Sequence, residues 1–153
     1  MQEIVNDLTE KEKLYLRQAI MMKPILTPSI KTNHATISFD GKSIVISELE
    51  DDSEISLEDV IEHRRIIHEF TGGKKHAVLA IAGQHTTATK EAREYSSQNI
   101  PEGRIAEAIV ITSMPVRLMG RIFINFHKPG LPTKLFETRE EALVWLEQIL
   151  TSY

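Results

Sequence analysis

The residues best placed to do chemistry in this chain lie in two short stretches. They are Gly83-Gln84-His85-Thr86-Thr87-Ala88-Thr89 and Thr112-Ser113-Met114-Pro115-Val116-Arg117. The first brings a glycine, an imidazole and the hydroxyls of Thr86, Thr87 and Thr89 to the start of a helical pattern. Free N–H groups at such a start favour an anion. The same threonines can instead satisfy those N–H groups themselves, with Thr89 as N-cap, and this is the better supported reading. The glycine spacing is not that of a phosphate loop, and no Gly-Lys-Ser/Thr end follows. In the second stretch Arg117 can reach an anion beside Ser113, although a solvated arginine is the simpler expectation.

Other chemistries lack their parts. Ser113, His85 and several aspartates are present, but there is no Gly-x-Ser-x-Gly elbow and Asp is scarce beyond Asp59. His63 and His68 are spaced to splay on a helix, and no His-Glu-x-x-His occurs. His34, His76 and His127 fall near element ends, where they can bond backbone groups. The chain has no cysteine, which removes disulfides, thiolate catalysis and Cys-based zinc sites. Glu10, Glu12, Glu140 and Glu141 suit helix starts, and the acidic run Glu48–Glu54 reads as a solvated loop. No catalytic residue, metal or cofactor is assigned, and an enzyme is the remotest reading.

A third feature is hydrophobic. Val116, Leu118, Met119, Ile122, Phe123 and Phe126 on one short helix exceed what a ~100° stripe can hold. Some of them must look away from the core, toward a second subunit, an N-terminal arm or an apolar ligand. Arg117 and Arg121 stand one turn apart beside this surface, and Gly120 permits the close approach of another backbone.

The elements that must position these residues follow a rhythm. Residues 1–31 read as a helical arm, with a Thr9/Glu12 capping box and Leu14, Leu16, Ala19, Ile20 and Met21 along one side. Pro24 and Pro28 then make an extended linker. Residues 32–153 read as one domain. Ala35–Leu49 is a hairpin about a two-residue Asp40-Gly41 turn, pairing Phe39 with Lys42, Ile37 with Ile44 and Ala35 with Ile46. Ser56 caps a helix with Leu57, Val60, Ile67 and Phe70 on its stripe, ended by Gly72-Gly73. Apolar strands at 76–82 and 106–112 and a short one at 133–137 alternate with helices from Thr89, Ser113 and Thr138. The last helix carries Ala142, Leu143, Leu146, Ile149 and Leu150, and Trp145 packs with it on the sheet. The order is β-β-α-β-α-β-α-β-α, an α/β domain with four mainly parallel strands. If sequential strands are neighbours, the crossover helices share one face of the sheet. The other face then needs cover from the hairpin, the arm or another subunit.

This succession resembles the STAS-type fold of anti-sigma-factor antagonists (SpoIIAA-like), and more distantly the CRAL-TRIO lipid-binding fold. The residues that carry the likeness are Thr89-Lys90-Glu91-Ala92-Arg93-Glu94-Tyr95, the stretch from Ser113 to Pro129, and Leu131-Pro132-Thr133-Lys134-Leu135-Phe136 running into Glu140-Glu141-Ala142-Leu143-Val144-Trp145-Leu146. The likeness is strongest to small, mostly uncharacterised bacterial STAS-like proteins. It implies a non-catalytic regulatory or protein-interaction module. The regulated members carry an Asp-Ser-Ser/Thr-Gly-like motif whose hydroxyl a kinase phosphorylates. Ala88-Thr89-Lys90-Glu91 stands there in this chain, so the resemblance implies a module without that switch.

Composition bounds the partners. The 153 residues carry a formal charge of −4, which disfavours nucleic acid. No apolar run reaches the ~20 residues that span a bilayer, and the polar N-terminus lacks the pattern of a signal peptide. The expectation is a cytoplasmic protein that meets a protein partner or its own copy. The alternative is a small carrier of an apolar or lipid-like ligand beneath the helix at 113–126.

Overall fold

The computed structural model describes residues 9–15, 27–127 and 130–153, without the side chains of 123–127. The Thr9/Glu12 capping box forms as expected: Thr9 N–H donates to Glu12 Oε2 at 2.8 Å, and Glu12 N–H donates to Thr9 Oγ1 at 3.3 Å. A helical segment covers 10–15. The expected stripe through Leu16, Ala19, Ile20 and Met21, and Pro24, lie outside the described residues.

The elements that follow are β1 (Ser29–Lys31), β2 (Ala35–Phe39), β3 (Ile44–Leu49), β4 (Glu54–Ile55), α1 (Leu57–Thr71), β5 (His76–Ile81), β6 (Thr87–Ala88), α2 (Lys90–Gln98), β7 (Arg104–Val110), α3 (Met114–His127), β8 (Thr133–Phe136) and α4 (Arg139–Thr151). The main sheet has the order β1-β2-β3-β5-β7-β8. Strands β3, β5, β7 and β8 are parallel, as the alternation required. The central runs His76–Ile81 and Arg104–Val110 are rich in small and branched apolar residues because both faces of the sheet are covered.

Three expectations of pairing are corrected. The hairpin pairs Phe39 with Val45, Ile37 with Ser47 and Ala35 with Leu49, rather than Ile37 with Ile44. The cause is Asp40, whose Oδ1 accepts the N–H groups of Lys42, Ser43 and Ile44 and so builds a longer turn. The odd shift sends Ile37 and Ile44 to opposite faces of the sheet. Ser29–Lys31, expected within an extended linker, adds to β2 as an antiparallel edge strand. The Glu48–Glu54 run and the Gly83–Ala88 loop, both expected to be free of regular structure, meet through β4 and β6 in a small parallel ladder.

The sheet has two cores. On one face Ile44, Ala77, Leu79, Ala106, Ala108 and Val110 pack against Ala142 and Leu146 of α4. The C-terminal helix thus supplies the cover that was expected from the hairpin, the arm or another subunit. Trp145 joins this face through Phe136, with ring centroids 5.6 Å apart. On the other face Ala35, Ile37, Val45 and Val78 pack against Ile66 and Ile67 of α1. The stripe of α1 is wider than Leu57, Val60, Ile67 and Phe70: it also buries Asp59, His63 and Ile66. Among the described residues no helix is long and apolar enough to cross a membrane.

Candidate functional site

The Gly83–Thr89 loop is held by the chain's own acidic segment. Asp51 Oδ1 accepts the Gln84 N–H at 2.7 Å, and the Asp52 N–H donates to Gln84 O at 2.7 Å. His85 Nδ1 lies 2.9 Å from Asp52 Oδ1, and both residues take positive φ. Buried Thr86 donates its hydroxyl to Glu50 O at 2.9 Å. A Cβ on Gly83 would stand 2.6 Å from Asp51 N, so only glycine allows the two segments to lie this close. Thr87 is in β6 and exposed. Thr89 is the N-cap of α2, its Oγ1 accepting the Ala92 N–H at 3.2 Å. The Gln84 N–H that an incoming anion would meet is thus already bonded to a carboxylate, beside further acidic side chains.

At the start of α3, Ser113 O accepts the Arg117 N–H at 2.9 Å. Arg117 is not the solvated side chain expected. It is buried and pairs with Glu137, just beyond β8, at 2.5 Å. Gly120 is also corrected: a Cβ there would lie 3.2 Å from Leu135 and 3.4 Å from Ile111, so the close approach is to this domain's own sheet. With Gly120 inward, the opposite side of α3 is open. Met114, Leu118, Met119 and Ile122 are 70%, 61%, 67% and 45% exposed, and Arg121 is exposed with them. The side chains of Phe123 and Phe126 lie outside the described residues. The structure therefore separates the two stretches. The 83–89 loop is packed on the acidic β3–α1 connection, and the 113–122 residues form a helix lying on the sheet beside β8.

A third place went unnoticed in the sequence. Two adjoining cavities of about 350 and 180 Å³ lie between α1, α2 and the sheet, both lined by Arg64, Ile67, Ile100 and Pro101. Half-buried Arg64 stacks over Tyr95 at 4.7 Å. Burial and the neighbouring Arg104 hold its pKa below the usual guanidinium value. His76 and Arg104 are direct partners across β5 and β7. His76 is 1% exposed, and its Nδ1 lies 2.8 Å from Lys74 O. Burial lowers its pKa, with Arg104 and His68 acting in the same direction. Nearby, Asp59 accepts from the Ser56 N–H at 2.9 Å and lies 3.0 Å from His34 Nδ1. Burial opposes its ionisation, but these hydrogen bonds outweigh that and hold it below the usual carboxylate range. His63, 3.2 Å from Thr32 Oγ1, is lowered by burial. The sequence did carry a signal, in Arg104 and Glu107 as charges inside an apolar strand. Strict alternation puts them on opposite faces, so it gave no reason to join them.

The folded chain is an α/β domain in which a β-hairpin leads into sequential, neighbouring parallel strands, the arrangement that the STAS resemblance implied. It belongs to the family described as Domain of unknown function (DUF7793), whose model matches residues 37–150. No curated protein matches the sequence. Among solved structures it is similar to an uncharacterized protein of the DUF3478 family with a SpoIIAA-like fold from Shewanella loihica PV-4. The identity is 12% and the TM-score 0.48, over 78% of this chain and 91% of that one.

Proposed function

We propose that this protein is a non-catalytic, STAS-type interaction module that pairs with a second copy of itself through the outer side of α3. The observation that carries the reading is the run of exposed Met114, Leu118, Met119 and Ile122. A continuous apolar patch on a soluble surface favours a binding partner, and the two methionines can adapt to one. The patch holds little charge beyond Arg121, so it complements a surface of its own kind better than a charged partner. A two-fold contact would close it on itself. The module works without the phospho-switch of its resemblance: the Thr89 hydroxyl is engaged as a helix cap, and Ala88 stands beside it where those motifs have an acidic residue. The carrier alternative has less support, because among the described residues Met114–Ile122 of α3 line neither of the two cavities. Light scattering tests the reading. Wild type is expected to be a dimer and Ile122→Glu a monomer with an unchanged far-UV circular dichroism spectrum. A wild type that stays monomeric at tens of micromolar, about the strength of a weak association, overturns it.

A further inference from the structure

The cavities between α1, α2 and the sheet contain buried polar groups whose hydrogen bonds are incomplete. Arg104 Nε and His76 Nε2 are both buried with no partner among the described residues. The Arg104 side chain is only 8% exposed, and its ion pair to Glu107 is long, at 3.5 Å. Leaving such atoms unpaired is costly, and folded proteins rarely do so without cause.

The backbone places them together through a defined irregularity. The register shifts between His76 and Ala77, which pair with Arg104 and Ala106, so that Ile105 is the extra residue. Without that bulge Arg104 would share the α4 face with Ala106 and Ala108. With it, Arg104 joins His76, Val78 and Glu107 on the cavity face. Bulges of this kind often re-aim a side chain at a working site. The turn before Arg104 fixes the geometry further: Gly103, at φ +77°, lies so close to Gly73 O and Lys74 O that a Cβ would collide with both.

Charge and lining define the occupant. Among the described residues, Arg64 and Arg104 face the single carboxylate of Glu107, which leaves one cation in excess in a half-open space. Leu49, Ile55, Val60, Ile67, Val78 and Leu131 supply apolar wall, alongside the polar side chains of Ser47, His63, Ser96 and Thr133. We infer that this cavity binds a small organic carboxylate, its carboxyl group on Arg104 and Arg64 and its apolar body against α1 and the sheet. Guanidinium groups match carboxylate geometry and are less costly to dehydrate than ammonium groups. A singly charged ligand balances the excess, which a free phosphate dianion would overshoot.

Titration of the full chain with sodium hexanoate, followed by amide chemical shifts and calorimetry, tests this. Saturable binding is expected, with shifts centred on His76, Ile100 and Arg104. Hexan-1-ol, which has the same body without the charge, should bind at least about tenfold more weakly, the scale of one charge-assisted hydrogen bond. Arg104→Met keeps the length of the side chain and should lose hexanoate binding while retaining the native circular dichroism spectrum. Should that variant fail to fold, Arg64→Met provides the same comparison from the exposed side of the cavity. Absence of saturation, equal binding of hexan-1-ol, or binding of inorganic phosphate in preference to hexanoate each overturns the inference.

Discussion

The two faces of the sheet are built on opposite principles. Under α4 the contacts are alanines and branched aliphatics from β3, β5 and β7, closed by Ala142 and Leu146, with the Arg139–Glu48 ion pair exposed outside this cluster. Under α1 and α2 the same strands present His76, Arg104 and Glu107, and the helices add Asp59, His63 and Arg64. Small residues on the first face let a helix lie close and exclude water, which is where burial contributes most to stability. The second face is shallower: α2 buries only Ala92, and cavities remain beneath it. The difference assigns stability to one side of the sheet and room for a ligand to the other.

Breaking the α4 face should have the largest effect. Leu146 is fully buried at the centre of that contact. Leu146→Ala should destabilise by about 2–5 kcal/mol, through lost transfer energy and a cavity that the surrounding alanines cannot fill. A urea midpoint shift worth less than about 0.5 kcal/mol would show that α4 is not the main seal.

What the sequence made legible on both faces is local. The central strands are near-continuous apolar runs, and the helix caps at Ser56, Thr89 and Thr138 are signals that their own neighbours satisfy. What escaped the sequence depends on distant partners. The hairpin register follows from one carboxylate accepting three N–H groups. Arg117 reads as solvated until β8 delivers Glu137 to it. The anion reading of the Gly83–Thr89 loop omitted Asp51 and Asp52, which reach it from another connection. Arg104 turns inward only through a bulge, which no alternation pattern contains.

A cap change on the open face should act more weakly and more locally. Thr89→Ala removes the acceptor for the Ala92 N–H and should cost about 1 kcal/mol. Thr89→Asp should restore most of this through the same cap. Because α2 has little burial of its own, hydrogen exchange should quicken in Lys90–Gln98 while α4 amides stay protected. Equal loss of protection in both helices would contradict the division between the faces. Stoichiometric phosphate on Thr89 from the native host would instead overturn the reading of a module without the phospho-switch.

The smallest effect, in pH, separates the faces without removing a contact. His63 and His76 are held below the ordinary histidine pKa by burial. Asp59 and Glu62 oppose the shift at His63, while His34 adds to it. At His76 the Lys74 carbonyl opposes the shift, and Arg104 and His68 add to it. In the unfolded chain both imidazoles take up protons near pH ~6.5, before the folded forms do. The unfolded state therefore binds more protons in that window, and stability falls as the pH drops through it. Above it both forms are neutral and the contribution is complete. Asp59 has the same sign at lower pH: its stabilisation is present above the usual carboxylate range and is lost in stronger acid. Between pH 7.5 and 5.5 the urea midpoint of the wild type should accordingly decline, and His63→Gln and His76→Gln should each flatten the decline. Leu146→Ala should lower the midpoint at every pH but keep the wild-type slope, since Leu146 packs among apolar side chains on the opposite face of the sheet from His63 and His76. A wild-type midpoint that is level or rises on acidification would place the buried histidines in a more solvated setting than the cavity under α1 and α2 provides.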